Sequence, residues 1–313
     1  MTRILVIKLG ALGDFVLAMG PFAAIRRHHP GAHVTLLTIA SLADLAQGCG
    51  YFDEVWIDSR PPLWRLKACF DLVRRLNAAG FDRVYDLQTA DRSNAYFHAM
   101  GPLFGGRRVE WSGIARGCSH RHDNPLRGSM HTVERQAEQL AIAGIKDVPF
   151  ADLGWAQGDV SRLGLGAPYA LLVPGGSPHR PRKRWPVAHF TEAADWLVER
   201  DVVPVLLGGA EERGVLDQIA RASPGARNLC AETSLADIIT LARGARSALG
   251  NDTGPMHLIA AVGCPTVVLF SAASDPALCA PRAPQGSAPV TILRREPLSD
   301  LDVDQVTAAL SFH

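Results

Sequence analysis

The chain of 313 residues contains six cysteines but no C-x-x-C pair, since they stand at positions 49, 69, 118, 230, 264 and 279. A zinc or dithiol redox motif is therefore not expected, and the thiols are predicted to be reduced and mostly buried, as in a cytoplasmic protein. A strong excess of positive charge is also lacking, because the net charge at pH 7 is +1. This balance argues against nucleic acid as a partner.

No apolar run reaches the roughly 18 residues that a membrane span needs. The first segment, "MTRILVIKLGALGD", places a basic residue before apolar ones, but Lys8 and Asp14 interrupt it and no small-residue cleavage site follows. A signal peptide is therefore not expected. With 47% hydrophobic and 20% charged residues, the sequence predicts a globular, cytoplasmic protein.

Apolar segments of strand length alternate with segments of helical periodicity in both halves of the chain, including an amphipathic helix expected over 61–80. This alternation predicts an α/β protein with parallel sheets. Strands are expected at 3–10, 33–40, 54–59, 82–88 and 107–111, and again at 169–176, 202–209, 226–230, 247–250, 266–271 and 290–295.

The alternation breaks near the middle of the chain. Residues 112–130 have no periodicity and are predicted to be a loop, and residues 146–168 resemble a linker. We therefore expect two domains, 1–155 and 156–313, with the alternative that the terminal helix packs back on the first domain. Ligands of open parallel sheets lie beyond the carboxyl ends of the strands, so two facing sheets would enclose a cleft.

The first predicted strand is followed by "KLGALGD" (8–14), whose G-x-x-G would present backbone N–H groups to an anion or an oxygen-rich ligand. The dinucleotide pattern G-x-G-x-x-G is missing, which argues against an NAD-dependent dehydrogenase. Asp14 stands at the start of the following helix. It is either a helix N-cap or, at a strand end that faces a cleft, a base for a sugar hydroxyl.

Two further strand ends carry Gly-Gly pairs. In "VPGGSPHRPRKRWP" (173–186), the turn can present N–H groups to a phosphate and the basic residues can neutralise it, although a solvated basic loop would have the same composition. In "LLGGAEERG" (206–214), a carboxylate can bind the hydroxyls of a ribose, or the two acids simply occupy the first turn of a helix.

A fourth strand end is "GNDTGPMH" (250–257). Pro255 suits the first turn of a helix, where its missing N–H costs nothing. The N–H groups around Thr253 and Gly254 are then free for a phosphate, and His257 follows on the same side. The alternative is an Asx-type cap of a buried helix. Four such loops at four strand ends favour a ligand site.

Together, "KLGALGD", "PGGS…KRWP" and "GNDTGPMHLIAAVGCPTVVLF" resemble the motifs of glycosyltransferase family 9, the lipopolysaccharide heptosyltransferases, over nearly the whole chain. The resemblance implies a GT-B architecture, in which two Rossmann-like domains hold the active site between them. It also implies an inverting transfer of heptose, usually from ADP-heptose, to the inner core of lipopolysaccharide. Such an enzyme would use no cofactor and could contact the inner membrane peripherally.

Matched by position, the resemblance implies that Asp14 is the general base and that Lys183 meets the donor phosphate. The residues expected to contact the donor are Gly13, Gly175, Gly176, Ser177, Arg184, Glu211 or Glu212, Asp252, Thr253, Gly254 and His257. The segment "DLQ" (86–88) resembles the one that faces the acceptor. The candidate acceptor residues are Arg60, Arg65, Lys67, Gln88, Arg92, Arg116 and Arg121.

The expected mechanism needs no divalent metal, because Lys183, Arg184 and the helix start at Thr253 could stabilise the leaving diphosphate. The only D-x-D in the sequence, Asp302–Asp304, opens the terminal helix and is interpreted as helix N-terminal charge. Three alternatives remain. They are a transferase for another nucleotide sugar and glycan, a sugar-nucleotide epimerase of the same architecture, and a binding protein without a working acceptor site.

Overall fold

The structure is a computed structural model that describes residues 1–62, 64–101, 106, 108–166, 168–176 and 181–310. The chain divides into two compact units, Met1–Ala151 and Asp152–His313. Within the described ranges, no helix combines the length and the apolar character that crossing a membrane requires. Each unit is built around one parallel sheet.

The first unit alternates strands and helices, as the sequence predicts. Its strands are β1 (Arg3–Ile7), β2 (His33–Thr38), β3 (Glu54–Ile57), β4 (Arg83–Asp86), β5 (Glu110–Gly113) and β6 (His120–Arg121). Its helices are α1 (Leu12–Val16), α2 (Met19–His28), α3 (Ala43–Gly48), α4 (Leu66–Ala78), α5 (Asp91–Ala99) and α6 (Thr132–Ile142).

The second unit repeats this alternation. Its strands are β7 (Tyr169–Val173), β8 (Val203–Leu206), β9 (Arg227–Asn228), β10 (Ala248–Asn251), β11 (Thr266–Phe270) and β12 (Val290–Arg294). Its helices are α7 (Val187–Val198), α8 (Arg213–Ala222), α9 (Leu235–Gly244), α10 (Gly254–Ala261), α11 (Pro276–Cys279) and α12 (Val303–Ala308).

Both sheets have the same strand order among their described residues. The first runs β3-β2-β1-β4-β5-β6 and the second β9-β8-β7-β10-β11-β12, with parallel neighbours throughout. This is the Rossmann order 3-2-1-4-5-6 in each unit, which confirms the predicted fold class. The order reverses between β1 and β4 and between β7 and β10. Ligands of such sheets bind beyond the carboxyl ends of these strands, so the loops that follow them position the candidate site.

The central strands are buried on both faces, as parallel sheets covered by helices require. Residues 4–7 of β1 and all of β11 are buried. In the second unit, α12 packs against α7, and its Val306 belongs to the same core as Trp185, whose Nε1 donates to the carbonyl of Leu301 at 2.8 Å. The terminal helix is therefore part of the core of its own unit.

Helix α5 has no counterpart in the sequence-based expectation, and two further segments differ from it. The helix expected over 61–80 begins only at Leu66, since the backbone of Arg65 is not helical (φ −83°, ψ 62°) and the carbonyl of Pro61 accepts from the side chain of Arg92. Residues 112–130, expected to be a loop, include the end of β5, all of β6 and a 3-10 turn at Arg127–Ser129. A strand as short as β6 cannot show a period in the sequence, so pattern reasoning misses it.

Candidate functional site

A lysine and a glutamine tie together the loops after β1 and β4. Lys8 directly follows β1, and its Nζ donates to the carbonyl of Leu87 at 3.1 Å. Gln88 follows β4, and its Oε1 accepts from the N–H of Leu9 at 2.8 Å. The two strand ends are thereby held side by side. Gln88, an acceptor candidate, is also part of this scaffold.

Asp14 lies half-buried in the first turn of α1, next to the buried Gly13. The N-cap of this helix is Ala11, so Asp14 does not occupy the cap position. Burial lowers the pKa of Lys8, and the negative charge of Asp14 opposes that shift. The carboxylate of Asp14 is therefore close enough to interact with Lys8, and it remains partly exposed at the end of β1.

Asp86, the last residue of β4, is a buried carboxylate beneath this loop. Its Oδ1 accepts from the N–H groups of Gln88 and Thr89 at 3.1 and 2.9 Å, and the hydroxyl of Ser93 also interacts with this carboxylate. Burial raises the pKa of Asp86 to about 6, against the opposing effects of the two N–H groups, of the Ser93 hydroxyl and of Lys8. Burial thus favours the protonated form of this carboxyl group more than in an exposed aspartate.

Arg127 connects the segment 112–130 to the same strand end. Its Nη2 donates to Oγ1 of Thr89 at 2.9 Å, and its Nε donates to Nδ1 of His122 at 3.1 Å. Burial, followed by the charge of Arg135, lowers the pKa of Arg127 to about 10. Two guanidinium groups that repel each other in a partly buried place create an environment suited to a carboxylate or a phosphate.

Three of the acceptor candidates follow β3. The Nη2 atom of Arg60 lies 3.5 Å from the position that a Cβ on Gly10 would occupy. Arg65 and Lys67 are exposed at the start of α4, where Lys67 forms an ion pair with Asp71 at 2.9 Å. Arg60 is thus placed against the loop that carries the candidate base.

The other acceptor candidates differ in exposure. Arg116, after β5, and Arg121, in β6, are exposed. Arg92, in α5, instead donates to Oη of Tyr96 at 3.1 Å and to the carbonyl of Pro61 at 2.9 Å. Arg116 and Arg121 can therefore meet a ligand from solvent, whereas the guanidinium of Arg92 is directed into the protein.

In the second unit, Asn251 joins the loops after β7 and β10. Its buried side chain donates from Nδ2 to the carbonyls of Pro174 and Gly175 at 2.8 and 3.1 Å. Its Oδ1 accepts from the N–H of Trp185 at 3.0 Å. One amide group therefore fixes the beginning and the end of the segment 173–186, which the sequence predicts to bind phosphate. A buried amide that satisfies three backbone groups is costly to replace.

Lys183 and Asp252 form an ion pair between these two loops, with 12% and 7% of their side chains exposed. Asp252 also accepts from Oγ of Ser274 at 2.6 Å, in the segment after β11. The structure thus brings together Lys183 and Asp252, which the sequence singles out, and adds Ser274.

The predicted donor residues surround Gly175 and Gly176. A Cβ on Gly175 would stand 2.7 Å from Cγ of Glu212, and one on Gly176 would stand 3.4 Å from Cγ of Arg184. Arg184 donates from Nη2 to the carbonyl of Gly176 at 2.5 Å. Glu212, rather than the exposed Glu211, therefore lies against the glycine turn. A larger residue at Gly175 would displace this carboxylate.

Helix α10 begins at the same place. Thr253 is its N-cap and Gly254 its first residue, so the N–H groups of the first turn point toward the loop. The hydroxyl of Thr253 is buried and has no hydrogen-bond partner among the described residues. His257 is buried one turn into the helix. Ser177, also predicted to contact the donor, lies outside the described residues.

This arrangement can bind and stabilise anionic groups with cations and N–H donors. Lys183, Arg184 and the start of α10 supply the positive charge at one strand edge. The described residues contain no group of three or more His, Cys, Asp or Glu side chains that could hold a metal ion.

Four polar residues hold these loops in place, although the sequence motifs do not single them out as site residues: Asp86, Arg127, Asn251 and Ser274. Asp86 and Asn251 each end a buried central strand. A polar residue in that position is the signal that could have indicated them. Arg127 and Ser274 reach their partners from loops, and no local pattern marks such contacts.

Comparison with known proteins identifies relatives over most of the chain. The profile described as glycosyltransferase family 9 (heptosyltransferase) matches residues 69–297. Lipopolysaccharide heptosyltransferase 2 of Salmonella typhimurium is 33% identical over 296 residues, which cover 87% of this chain and 83% of that protein. Lipopolysaccharide heptosyltransferase 1 of Pseudomonas aeruginosa is 26% identical over 287 residues, which cover 86% of this chain and 78% of that protein.

A solved structure shares the fold. ADP-heptose lipopolysaccharide heptosyltransferase II of Escherichia coli superposes with a TM-score of 0.77 at 21% sequence identity, covering 99% of this chain and 97% of that one. This likeness confirms the GT-B type of fold that the sequence motifs imply.

Proposed function

The chain belongs to glycosyltransferase family 9, and from this premise we propose that it is an inverting heptosyltransferase. It moves a heptose from ADP-heptose to the inner core of lipopolysaccharide. The names of its relatives support the sugar and the acceptor, and one structural relative is named for the ADP-heptose donor. The chemistry of the candidate site gives independent support.

The observation that carries the proposal is the cationic edge of the second sheet. A nucleoside diphosphate has two adjacent anionic groups, and Lys183, Arg184 and the N–H groups at the start of α10 lie together at the ends of β7 and β10. Negative charge grows on the diphosphate as its bond to the sugar breaks. Positive groups that are already in place stabilise that charge without reorganisation.

The remaining donor contacts follow from the same loops. Glu212 lies against Gly175 and can accept hydrogen bonds from the ribose hydroxyls. Asp252, held by Lys183 and Ser274, can accept from the hydroxyls of the heptose. The Thr253 hydroxyl, which has no hydrogen-bond partner among the described residues, can donate to a phosphate oxygen.

Asp14 is the proposed base. It accepts the proton of the acceptor hydroxyl as the oxygen attacks the anomeric carbon from the face opposite the leaving diphosphate, which inverts the configuration. A carboxylate is a weak base toward a free hydroxyl, so it helps as the new bond forms and the hydroxyl becomes acidic. Arg60, whose guanidinium lies beside Gly10 in the same loop, is proposed to bind an anionic group of the acceptor.

Incubation of the protein with ADP-heptose and an inner-core acceptor in EDTA is expected to release ADP and to add one heptose. No metal is required, because Lys183 and Arg184 carry the charge stabilisation. Mass spectrometry of the acceptor and chromatography of ADP measure the reaction.

Three results would contradict parts of this proposal. An isomer of the donor formed without acceptor would instead support an epimerase. Donor binding without turnover across a panel of acceptors would support a binding protein. Activity lost in EDTA and restored by Mg²⁺ or Mn²⁺ would exclude the metal-free mechanism.

We name four exposed cations of the first unit together the basic surface: Arg65 and Lys67, which follow β3 at one edge of the sheet, and Arg116 and Arg121, which lie at the β5–β6 edge. Trp64 and Phe70 flank the first two and are 81% and 63% exposed. Cations attract acceptor carboxylates and phosphates, and exposed aromatic rings beside cations suit a membrane interface. We propose that this surface draws the acceptor to the enzyme and contacts the cytoplasmic face of the inner membrane.

Replacing the four cations of the basic surface with glutamine is expected to raise the acceptor KM and to leave the donor KM unchanged. The lost attraction is electrostatic, so added salt should have the same effect on the wild type. Steady-state kinetics measure the two KM values with and without added salt. Cosedimentation with anionic vesicles measures the proposed membrane contact.

A matched control removes four exposed arginines from the second unit: Arg200, Arg221, Arg227 and Arg295. This variant has the same net charge as the first and is expected to keep the wild-type acceptor KM. An equal rise in both variants would show that total charge matters rather than the basic surface. An acceptor KM that neither variant nor salt changes would leave the basic surface without a role in acceptor binding.

A further inference from the structure

We propose that helix α5 fixes Arg60 for the acceptor through Asp58 and Tyr96, so that both are positioning residues of the transfer reaction. This inference rests on the acceptor role proposed above for Arg60. The starting observation is the backbone of Arg60, whose φ of 51° lies in the left-handed region that non-glycine residues rarely adopt. Such a conformation persists only where the surrounding contacts hold it.

Asp58 holds this conformation from the strand side. Its side chain is fully buried one residue beyond β3, and its Oδ1 accepts from the N–H of Arg60 at 2.7 Å. Aspartate stabilises turns in this way, by bonding to the backbone two residues later. Its Oδ2 accepts from Oη of Tyr96 at 2.5 Å. Burial and the hydrogen bond to Asp58 raise the pKa of Tyr96, so the hydroxyl stays protonated and remains a donor.

Arg92 holds the other side of the same segment. Its Nη2 donates to the carbonyl of Pro61 at 2.9 Å, and its Nη1 lies 3.1 Å from Oη of Tyr96 and 3.8 Å from Oδ2 of Asp58. Arg92 and Tyr96 are four residues apart on α5 and therefore project from the same face. One helix face thus fixes the residues before and after Arg60.

The fixed backbone leaves the side chain of Arg60 available. This residue is exposed, and its guanidinium reaches the Gly10 loop, which leads to Asp14. An arginine on a mobile loop would lose much conformational freedom on binding an acceptor anion, and a fixed backbone reduces that loss. Arg92, itself an acceptor candidate from the sequence, is accordingly assigned to holding Arg60 rather than to the ligand.

The test is Tyr96→Phe, which removes one hydroxyl and leaves the ring in place. The acceptor KM is expected to rise about 3- to 10-fold, the effect of one lost hydrogen bond, with an unchanged donor KM. Tyr85→Phe is the matched control, because the buried Tyr85 hydroxyl lies 2.7 Å from Nε2 of His29 instead. Tyr85→Phe is expected to keep the wild-type acceptor KM.

A double-mutant comparison separates positioning from general destabilisation. If Tyr96 acts through Arg60, Tyr96→Phe combined with Arg60→Ala should raise the acceptor KM no further than Arg60→Ala alone. Effects that multiply would overturn the inference. Asp58→Asn, which removes the charge but keeps an acceptor for the N–H of Arg60, is the second variant. Combined with Arg60→Ala, it should likewise raise the acceptor KM no further than Arg60→Ala alone.

Hydrogen exchange gives a readout that does not depend on activity. Tyr96→Phe is expected to speed exchange of the peptide that contains Arg60, and Tyr85→Phe is not. Unchanged exchange in Tyr96→Phe would overturn the inference even in an active enzyme. Failure of the wild type to transfer heptose would instead overturn the proposed function, and the exchange result would still decide whether α5 fixes Arg60.

Discussion

Asp14→Ala is expected to lower kcat by about 10²- to 10⁴-fold, the usual contribution of a positioned base. The affinity for ADP-heptose should stay close to that of the wild type, because the donor contacts proposed above come from the loops of the second unit. Asp14 is half-buried at the end of β1, where a strand end of a Rossmann sheet meets its ligands. Single-turnover kinetics measure the chemical step, and calorimetric titration measures donor binding.

Asp14→Asn controls for shape. The amide keeps the size of the side chain but cannot accept the proton, so kcat should fall as far as in the alanine variant. Burial lowers the pKa of Lys8 and the charge of Asp14 opposes this, and both variants remove the opposing effect equally. If donor binding collapses together with turnover, Asp14 is a structural residue of the loop and the proposed base is wrong.

Lys183→Ala is expected to lower kcat by about 10²- to 10³-fold, a typical cost of losing one preorganised donor at a developing charge. The donor KM should also rise, since the ammonium meets the diphosphate before as well as during bond cleavage. The substitution has a second effect, because it leaves the largely buried Asp252 without its cation next to the donor phosphates. Steady-state kinetics with both substrates measure the two constants.

Combining Lys183→Ala with Asp252→Asn separates these two effects. Removing the stranded carboxylate should restore part of the donor affinity but not kcat. Arg182→Ala provides a neighbouring control, since Arg182 is exposed one residue before Lys183. It is expected to keep the wild-type kinetics. Wild-type kinetics in Lys183→Ala would transfer the phosphate role to Arg184 or Arg182.

The sequence predicted the strands, and it located the loops of the candidate site, because both signals are local. A buried parallel strand is a short apolar run, and a Gly-rich turn after it marks the strand's carboxyl end. Asp252 directly follows β10, and Asp14 and Lys183 lie in the segments that follow β1 and β7, so motif and topology indicate the same segments. Which of Glu211 and Glu212 packs against Gly175 could not be predicted from the sequence, because it depends on how the loop after β8 folds back on the glycine turn.

The sequence did not reveal the contacts that hold these loops. Asn251 bonds to residues more than 60 positions away, and Arg92 reaches across 31 positions to Pro61. No periodicity records such distances. Helix α5 was missed as well, because its first half is polar and only Tyr96 and Ser93 are buried in it. Long-range polar contacts fix the site, and they emerge only when the sheet brings its strand ends together.

The ion pair between Lys183 and Asp252 also bears on competition among the anions of the cell. Without a donor, the ammonium already has a counter-ion that the chain itself supplies, at a high effective concentration. A single inorganic phosphate offers one anionic group and must compete with that tethered carboxylate for the lysine. A sugar nucleotide can share the lysine while its ribose, second phosphate and sugar contact other loops. We therefore expect the pair to disfavour simple inorganic anions relative to a sugar nucleotide at the proposed donor site.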